Sequence, residues 1–466
     1  MRRFRSVVGK EPIARPKPAH DGRSPADSPS IQHKPLPPRD LLEVLPPELI
    51  GIIFQYWLTY ELDLHTWEPT ELPLVLCRVS KSWKDFVYGS PFLWRFVSID
   101  ASEHRSVNLE TLQSRLSRAQ KVPLAISLFI RAHPNLSALD ILFSSSRQFS
   151  ELSLKISSSC WWDDACMVPF GSLEKLSVKI WPMAYRLPEL SSVFSTAPLL
   201  QHLDWSAPAD PAPLVLAYGH RLRSLDLTVR LDVIQAFDVL AACPNLCSAS
   251  VSLLVETGRI SGPQQIDLEN LTSLTLLGPG MLIQLLENVR APLLSTFSIQ
   301  WRGIEDNILM RALGPFLAHS PLLEDFSMEN VIFKEDDLIK ILHSHPRISH
   351  FSVAALACDR PTGVVTEKTF RMLTRTNEEM DVFLPQLEQL VIRQGFQVPD
   401  EAILDMIKSC CQSIPSKSRR SIKLVQLDWC PQVALELRGR LHKVCEKGGV
   451  TVKGSFIQEN ERTLED

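Results

Sequence analysis

The sequence predicts an α/β solenoid, with parallel strands inside and helices outside, preceded by a small three-helix unit. Three observations support this fold class. A short phrase recurs in which proline precedes alternating apolar and polar residues, helical stretches separate its copies, and one position of the phrase is nearly always short and polar. The phrase "SPLLEDFSM" at 320, for example, returns as "APLLQHLDW" at 197 and "APLLSTFSI" at 291.

The copies of this phrase define a repeat of nearly regular length. We call each copy a frame and align the frames by their first apolar residue. Successive frames then begin 22 to 29 residues apart, except that the last two steps of 39 and 37 residues carry insertions. A period of about 20–29 residues is typical of leucine-rich repeats. "VPLAISL" at 122 is expected to supply an earlier, degenerate strand. The frames begin at Phe149, Leu173, Leu200, Leu222, Leu246, Leu271, Leu294, Leu323, Ile348, Leu387 and Leu424.

Each repeat is expected to consist of a helix followed by a strand. Stretches with helical spacing of apolar residues, such as "LDVIQAFDVLAAC" and "EDDLIKILHSH", precede the proline of the next frame. Proline cannot continue a helix, and it restricts the residue before it to extended geometry. The recurring proline therefore ends one helix and starts the next strand.

The alternation within the strands predicts an open, polar face of the sheet. In each frame the last two apolar residues point inward, and the residue between them points to the opposite face. Ten of these eleven residues are Ser, Thr or Asp. Parallel strands covered by helices on both sides are usually apolar on both faces, so we expect helices on one face and a binding surface on the other. The eleven residues are Ser153, Ser177, Asp204, Asp226, Ser250, Thr275, Ser298, Ser327, Ser352, Val391 and Asp428.

The segment 40–95 predicts a bundle of three small helices. Pro46 and Pro47 suit the start of a helix, where the missing N–H groups have no intrahelical partner to lose. Apolar residues follow at helical spacing in "LPPELIGIIFQYWL". A polar insert, "ELDLHTWEPTE", separates them from "LCRVSKSWKDFVYGSPFLW", which keeps the same period and closes at Trp94.

These two stretches resemble an F-box. They match the family pattern of Leu-Pro-x-Glu, an apolar helix, Cys-x-Val-x-x-x-Trp and a closing Ser-Pro-x-Leu-Trp, and are most similar to F-box proteins of mushroom-forming fungi with irregular leucine-rich repeats. Ser80 departs from the cysteine of many relatives, and the insert over 60–73 is longer than in compact members. The resemblance implies docking to a Skp-type adaptor and, through it, to a cullin and RING ubiquitin ligase. It implies adaptor contacts at Leu45, Pro46, Leu49, Ile52, Ile53 and Val79.

The repeats would then hold a protein substrate. Larger side chains that flank the polar positions are the candidate substrate-binding residues. Trp161 and Trp162, in a loop after an early strand, are either contact residues or a plug at the end of the solenoid. The flanking candidates are Lys179, His202, Arg230, Gln300, His350 and Arg393.

Motifs for catalysis, metal or cofactors do not emerge from the sequence. The histidines of "HSHPRISH" at 343–350 are close in sequence but need not converge, and no phosphate-binding loop, H-E-x-x-H or G-x-S-x-G occurs. We therefore expect a protein that is not an enzyme and carries no cofactor or metal. A net charge of -4 argues against nucleic-acid binding as its main role.

The chain contains no apolar run of about 18–20 residues, so no membrane span or secretory signal is expected. Ten cysteines without a C-x-x-C pair indicate a reducing compartment, cytoplasmic or nuclear. Arg2, Arg3 and Arg5 fit a transit peptide, a nuclear signal or a basic tail. The expected organisation is a disordered Pro-rich basic tail over 1–39, the F-box-like unit over 40–95, repeats over 96–455 and a flexible tail over 456–466.

Three hypotheses of function follow from these observations. The first is a non-catalytic substrate-recognition subunit of a Skp–cullin–F-box type ubiquitin ligase. The second is a leucine-rich-repeat interaction scaffold without a ubiquitin-ligase role. The third, an enzyme hidden in the repeats, requires a convergent polar pocket that the alignment of frames does not predict.

Overall fold

The computed structural model shows a mixed α/β chain: among the described residues, helices precede Phe96 and a long parallel sheet with helices follows. The chain divides into two units, Met1–Ile50 and Gly51–Asp466. No helix within the described part is long and apolar enough to cross a bilayer. The structure describes residues 41–64, 72–102, 107–130, 135–157, 169–181, 193–194, 196–206, 211–253, 265–278, 282–301, 308–331, 333–354, 365–374, 383–393, 396–412, 422–428, 440–441, 444 and 451–453.

Among the described residues, four helices and one 3₁₀ turn precede the first strand. They are α1 (Leu41–Val44), α2 (Pro47–Leu64), α3 (Leu72–Leu76), α4 (Lys81–Tyr88) and the 3₁₀ turn Pro91–Trp94. Helix α2 begins at Pro47, as the sequence predicts, but it continues to Leu64, into the segment expected to be a polar insert.

Aromatic contacts hold α2 against α4. The Phe54 ring lies 4.8 Å from that of Trp83 and 5.9 Å from that of Phe86, measured between centroids. Ser80 caps α4 by accepting a hydrogen bond from the Trp83 backbone N–H at 3.1 Å. The serine that departs from the F-box pattern therefore has a local structural role, since an N-cap hydroxyl stabilises a helix by about 1 kcal/mol.

In the described residues after the 3₁₀ turn, the largest element is a parallel sheet of 14 strands, ordered as they occur in the sequence. Its strands are β1 (Phe96–Asp100), β2 (Leu124–Ile130), β3 (Phe149–Ile156), β4 (Lys175–Ile180), β5 (His202–Ser206), β6 (Ser224–Leu231), β7 (Ser248–Leu253), β9 (Ser273–Gly278), β11 (Thr296–Trp301), β12 (Asp325–Glu329), β13 (His350–Ala354), β15 (Gln389–Arg393), β17 (Leu424–Asp428) and β18 (Thr451–Lys453). Two small parallel pairs lie outside it: β8 (Ile266–Asp267) with β10 (Val289–Arg290), and β14 (Val365–Thr366) with β16 (Phe396–Gln397). Strand β2 confirms the early strand expected near residue 122.

Helices occupy many of the connections between these strands. Helix Val233–Ala241 lies within the predicted stretch "LDVIQAFDVLAAC", and helix Glu335–Ser344 lies within "EDDLIKILHSH". The recurring proline lies between helix and strand, as Pro346 does before β13. The helices are Leu109–Ala119, Leu136–Phe143, Ala212–Tyr218, Val233–Ala241, Leu282–Asn288, Ile308–Ala318, Glu335–Ser344, Glu367–Leu373 and Asp400–Gln412, with short 3₁₀ turns at Ser146–Gln148 and Gly219–Arg221.

The core lies between the sheet and these helices. Strands alternate buried and partly exposed residues, as in β11, where Phe297 and Ile299 are fully buried. The ring of Phe297 meets that of Phe316 in helix Ile308–Ala318 at 5.4 Å, and stacks on Phe326 of β12 at 6.2 Å. Helices therefore cover the face that carries the phenylalanines, while the opposite face stays partly exposed, in agreement with the predicted polarity of the sheet.

The last predicted frame is wrong by two residues. Val391 of β15 pairs with Gln426 of β17, whereas Asp428 pairs with Arg393. The frame therefore begins at Ile422, which is 2 % exposed, rather than at Leu424. The error arises because alternation has a period of two, so a shift by two residues leaves every side chain on the same face.

Candidate functional site

The partly exposed face of the sheet carries one continuous column of mostly short polar side chains, here called the polar column. Strand register places these residues side by side, one per strand, and each is partly exposed. Ser98, Ser127 and Gln426 belong to the column although the sequence frames do not include them. From β1 to β17 the column reads Ser98, Ser127, Ser153, Ser177, Asp204, Asp226, Ser250, Thr275, Ser298, Ser327, Ser352, Val391 and Gln426.

Longer side chains flank the polar column on both sides. Residues two positions before it and two positions after it share its face, because side chains alternate along a strand. The short side chains of the polar column therefore form the lowest part of the open face. The flanking side chains form a row along each side of the column, and these two rows are here called the margins. On one margin lie Glu151, Lys175, His202, Thr296, Asp325 and His350, and on the other lie Lys155, Lys179, Gln300, Glu329 and Arg393.

Three of the predicted substrate-binding residues lie on β4 to β6. Lys179 forms an ion pair with Asp204 of the neighbouring strand, at 3.2 Å between Nζ and Oδ2. Burial lowers the pKa of His202, and the positive charges of Lys175 and Arg223 lower it further. Both effects favour the neutral form of His202. Arg230 occupies β6 opposite Ser252, and its side chain lies outside the described part of the structure.

The other three predicted residues lie on β11 to β15. His350 Nδ1 lies 2.5 Å from Asp325 Oδ1, and Arg393 lies 3.7 Å from Glu329. Gln300 is partly buried in β11. His350 also lines a cavity of about 170 Å³ on the open face, whose floor includes Ser298, Ser327 and Ser352 of the polar column.

The six predicted residues do not form one site. Strands β5 and β13 are separated by β6, β7, β9, β11 and β12 in the sheet. At about 4.8 Å per strand, His202 and His350 are roughly 29 Å apart along the sheet. The open face therefore offers two separate clusters rather than one pocket.

Helix α2 exposes a second kind of surface. Ile52, Ile53 and Tyr56 are 61 %, 51 % and 73 % exposed, and helical spacing places them on one side of α2. Large apolar side chains are rarely left this exposed in groups on a monomer without a partner. The neighbouring Phe54 and Gly51 are buried, so the exposed side is distinct from the core side.

The remaining predicted adaptor contacts are also accessible to different degrees. Val79, after α3, is 59 % exposed, and Val75 within α3 is 41 % exposed. In the first unit Leu49 is 48 % exposed, Pro46 is exposed and Leu45 is partly buried. Tyr56 and Val75 were not predicted as contacts. Tyr56 follows Ile52 by four residues, and this helical spacing is the sequence signal that places Tyr56 on the same side of α2.

The histidines of 343–350 have separate local partners. His345 is buried, and its two ring nitrogens lie 2.8 Å and 2.9 Å from the carbonyl oxygens of Ile341 and Leu317. His350 faces Asp325 on the open side of the sheet. Within the described residues, no group of three or more His, Cys, Asp or Glu side chains could hold a metal ion. Trp161 and Trp162 lie outside the described residues.

Comparison with models of known protein families found no matching family for this chain. A search of curated proteins likewise found none that is significantly similar.

Proposed function

We propose that the chain is a non-catalytic substrate-recognition subunit of a Skp–cullin–F-box type ubiquitin ligase. In this proposal the N-terminal helices are an F-box that binds the Skp-type adaptor, and the sheet belongs to leucine-rich repeats whose open face binds a protein substrate. The exposed apolar side of α2, formed by Ile52, Ile53 and Tyr56, is the observation that carries it.

An adaptor helix is a fitting partner for this side of α2. An exposed apolar row on a short helix matches helix-in-groove or helix-on-helix packing, in which residues spaced by three and four contact the partner. Fully burying an isoleucine contributes about 1.5–3 kcal/mol, so covering the exposed half of Ile52 and Ile53 contributes about 1 kcal/mol or more each. Val79 lies at the loop before α4, where the resemblance to an F-box implies a further contact.

The open face supports the second half of the proposal. Its polar column runs across 13 strands with short side chains, and short side chains allow the main chain of a partner to approach closely. Extended open surfaces of this kind are used by solenoid proteins for protein recognition. Ion pairs supply charged groups on this face: Lys179 of a margin pairs with Asp204 of the column, and Arg393 and Glu329 pair within a margin.

Pull-down of the full chain with a purified Skp-type adaptor tests the docking role. The wild-type chain is expected to bind, and the double variant Ile52→Glu with Ile53→Glu is expected to lose at least about 100-fold in affinity, since two carboxylates would enter an apolar interface. Both positions are exposed, so the fold should persist, which circular dichroism and thermal unfolding would verify.

The matched control is Leu136→Glu with Leu216→Glu. These leucines are 61 % and 66 % exposed on other helices and should leave adaptor binding unchanged. Absence of adaptor binding by the wild-type chain would refute the ligase role and favour the alternative of a repeat scaffold. Equal losses in both double variants would instead refute the assignment of the docking surface to α2.

A further inference from the structure

The cavity on the open face lies across four neighbouring strands, β11, β12, β13 and β15. It has a volume of about 170 Å³ and is bounded by two rows of side chains, one from a margin and one from the polar column. Strand register fixes the order of both rows. From β11 to β15 the margin row reads Thr296, Asp325, His350 and Gln389, and the column row reads Ser298, Ser327, Ser352 and Val391.

A hydrogen-bonded carboxylate and imidazole form the margin side of this cavity. Asp325 Oδ1 lies 2.5 Å from His350 Nδ1, and Asp325 Oδ2 accepts a hydrogen bond from the Thr296 hydroxyl at 3.2 Å. Because a carboxylate only accepts, the imidazole proton is on Nδ1, and Nε2 of the neutral ring is left as an acceptor. These contacts hold the carboxylate in place and orient the ring.

The charge of the lining favours a cation. Among the eleven described residues that line the cavity, Asp325 and His350 are the two with ionisable side chains. Together they carry one negative charge when the imidazole is neutral and no net charge when it is protonated. The lining is therefore not net positive in either state, and it attracts a cation more than an anion.

The charged groups at the edge where these strands begin are paired with each other. Glu324 lies 3.5 Å from Arg347, before β12 and β13, and Glu388 lies 2.6 Å from Lys423, before β15 and β17. Each of these pairs brings together one acid and one base. The preference of the cavity for a cation therefore comes from its own lining.

The two ends of the cavity differ in polarity. The hydroxyl oxygens of Ser327 and Ser352 line it and can accept hydrogen bonds from an N–H donor. Val391, the apolar member of the polar column, lines the end formed by β15. At about 4.8 Å per strand, Val391 is roughly 10 Å from Ser327. A ligand that is apolar at one end and cationic at the other matches this arrangement.

We propose that the cavity binds a lysine side chain of the protein that the open face recognises. The ammonium group donates hydrogen bonds to Asp325 and to the hydroxyls of Ser327 and Ser352, while the four-carbon stem packs on Val391. This inference rests on the proposed function, because it takes the open face as the substrate-binding surface, but it does not depend on the adaptor.

Lysine fits this cavity better than arginine. Both oxygens of Asp325 already take part in hydrogen bonds, with Thr296 and His350. Two parallel bonds from a planar guanidinium would compete with these contacts. An ammonium group is compact and has three donors that can rotate, so it needs only one further bond to Asp325.

Parallel selection of phage-displayed random peptides tests the proposal. One selection uses the immobilised full chain, and the other uses its Asp325→Asn variant, in which the side chain keeps nearly the same shape but loses its charge. Peptides from the wild-type chain are expected to contain lysine at one preferred position. Peptides from the variant should show no such preference.

Changes in the selected peptides identify the group that is bound. The peptides are synthesised with acetylated N-termini, so that the selected lysine rather than the terminus supplies the ammonium, and are measured by fluorescence anisotropy. Norleucine in place of lysine keeps the stem without the charge and should weaken binding at least about tenfold, since charge-assisted hydrogen bonds are lost. Arginine should weaken binding about three- to tenfold.

Variants of the chain locate the site. Asp325→Asn should weaken binding of the lysine peptide at least about tenfold. Ser327→Ala with Ser352→Ala should weaken it about three- to tenfold and leaves the contact between Asp325 and His350 in place. Asp405→Asn is the matched control: Asp405 is exposed on helix Asp400–Gln412 and forms an i,i+3 ion pair, so this variant should bind as the wild type does. Thermal unfolding verifies the fold of each variant.

The outcomes separate this site from the ligase proposal. The lysine site is overturned if the wild-type chain enriches no lysine peptide relative to Asp325→Asn, or if lysine and norleucine peptides bind equally. Equal binding by the serine double variant and the wild type would also overturn it. Adaptor pull-down with Asp325→Asn should match the wild type, and the Ile52→Glu with Ile53→Glu variant should keep peptide binding, so the two proposals can fail independently.

Discussion

Glu335 joins two successive repeats through one carboxylate. It stands at the start of helix Glu335–Ser344 and accepts hydrogen bonds from the backbone N–H and hydroxyl of Thr366, at 2.7 and 2.5 Å, and from those of Thr369, at 3.2 and 2.5 Å. Burial alone would raise the pKa of Glu335, but these four hydrogen bonds favour the ionised form and hold the pKa below its usual value.

This lowered pKa predicts a pH-dependent contribution to stability. The contribution should be fully present above about pH 4.5, the ordinary range for glutamate, and should be lost as the pH falls through the lower pKa of the folded state. Glu335→Gln should reduce the free energy of unfolding by about 1–3 kcal/mol at pH 7, and the difference from wild type should shrink as the pH falls below about 4. Urea unfolding at several pH values measures both the loss of stability at pH 7 and its decrease at lower pH.

Asp336→Asn provides the control for this experiment. Asp336 lies one residue away and forms an exposed ion pair with Lys368, so its replacement should change stability little at any pH. A difference between wild type and Glu335→Gln that stays constant from pH 7 to pH 3 would show that the charge of Glu335 is not the stabilising feature.

At the scale of single elements, β9 ends in a glycine that no other residue can replace easily. Gly278 has a φ of 123°, and a side chain there would collide with the backbone carbonyl of Leu253 at the end of β7. The close approach lies one residue beyond the last pair between β7 and β9, Ser252 with Leu277, and Gly278 itself pairs with Trp301 of β11.

Gly278→Ala should therefore destabilise the protein by about 2–4 kcal/mol, combining an unfavourable φ with displacement of a neighbouring strand. Gly314, inside helix Ile308–Ala318, has no atom within 4 Å of the position a side chain would take, so Gly314→Ala should stabilise by up to about 1 kcal/mol. Chemical denaturation of both variants checks the contrast. Similar effects of the two substitutions would contradict the steric argument.

Much of this element-scale structure could be predicted from the sequence, and the errors have physical causes. The proline phrase and the helical spacing locate strands such as β12 and helices such as Glu335–Ser344, because both signals are local. The last frame was predicted to begin at Leu424 instead of Ile422, because both starting residues give an equally apolar alternation. The extension of α2 to Leu64 was missed because polar residues in its last turns resemble a loop.

The candidate sites were less predictable than the strands. Lys179 was predicted as a flanking residue, but Lys155 was not, because its place on the same margin follows from its pairing with Lys179 across strands. The cavity on the open face spans four strands and depends on register that residue spacing does not reveal. The exposed side of α2 was partly predictable, since Ile52, Ile53 and Tyr56 recur at helical spacing in the sequence.

For the molecule as a whole, strand order makes each strand depend mainly on its two neighbours. Phe326 illustrates this: it is 1 % exposed and stacks on Phe297 of β11 at 6.2 Å and on Phe351 of β13 at 6.0 Å. Repeat arrays have approximately nearest-neighbour energetics, so a defect in one strand should weaken the adjacent strands more than distant ones.

Phe326→Ala should therefore cost about 3–5 kcal/mol and should act locally. Hydrogen exchange measured by mass spectrometry is expected to accelerate in β11 to β13 and to remain slow in β1 to β3. Phe149→Ala, at a fully buried position in β3, is the mirror control and should reverse the pattern. Uniform acceleration along the chain in either variant would instead indicate a single cooperative unit.

The sequential order of the 14 strands has a consequence for how the protein is made. No strand of the large sheet has to wait for a later segment to be inserted beside an earlier one, since each new strand adds to the edge left by its predecessor. A chain emerging from the ribosome can thus complete its structure progressively, and its growing edge is always the most recently synthesised strand.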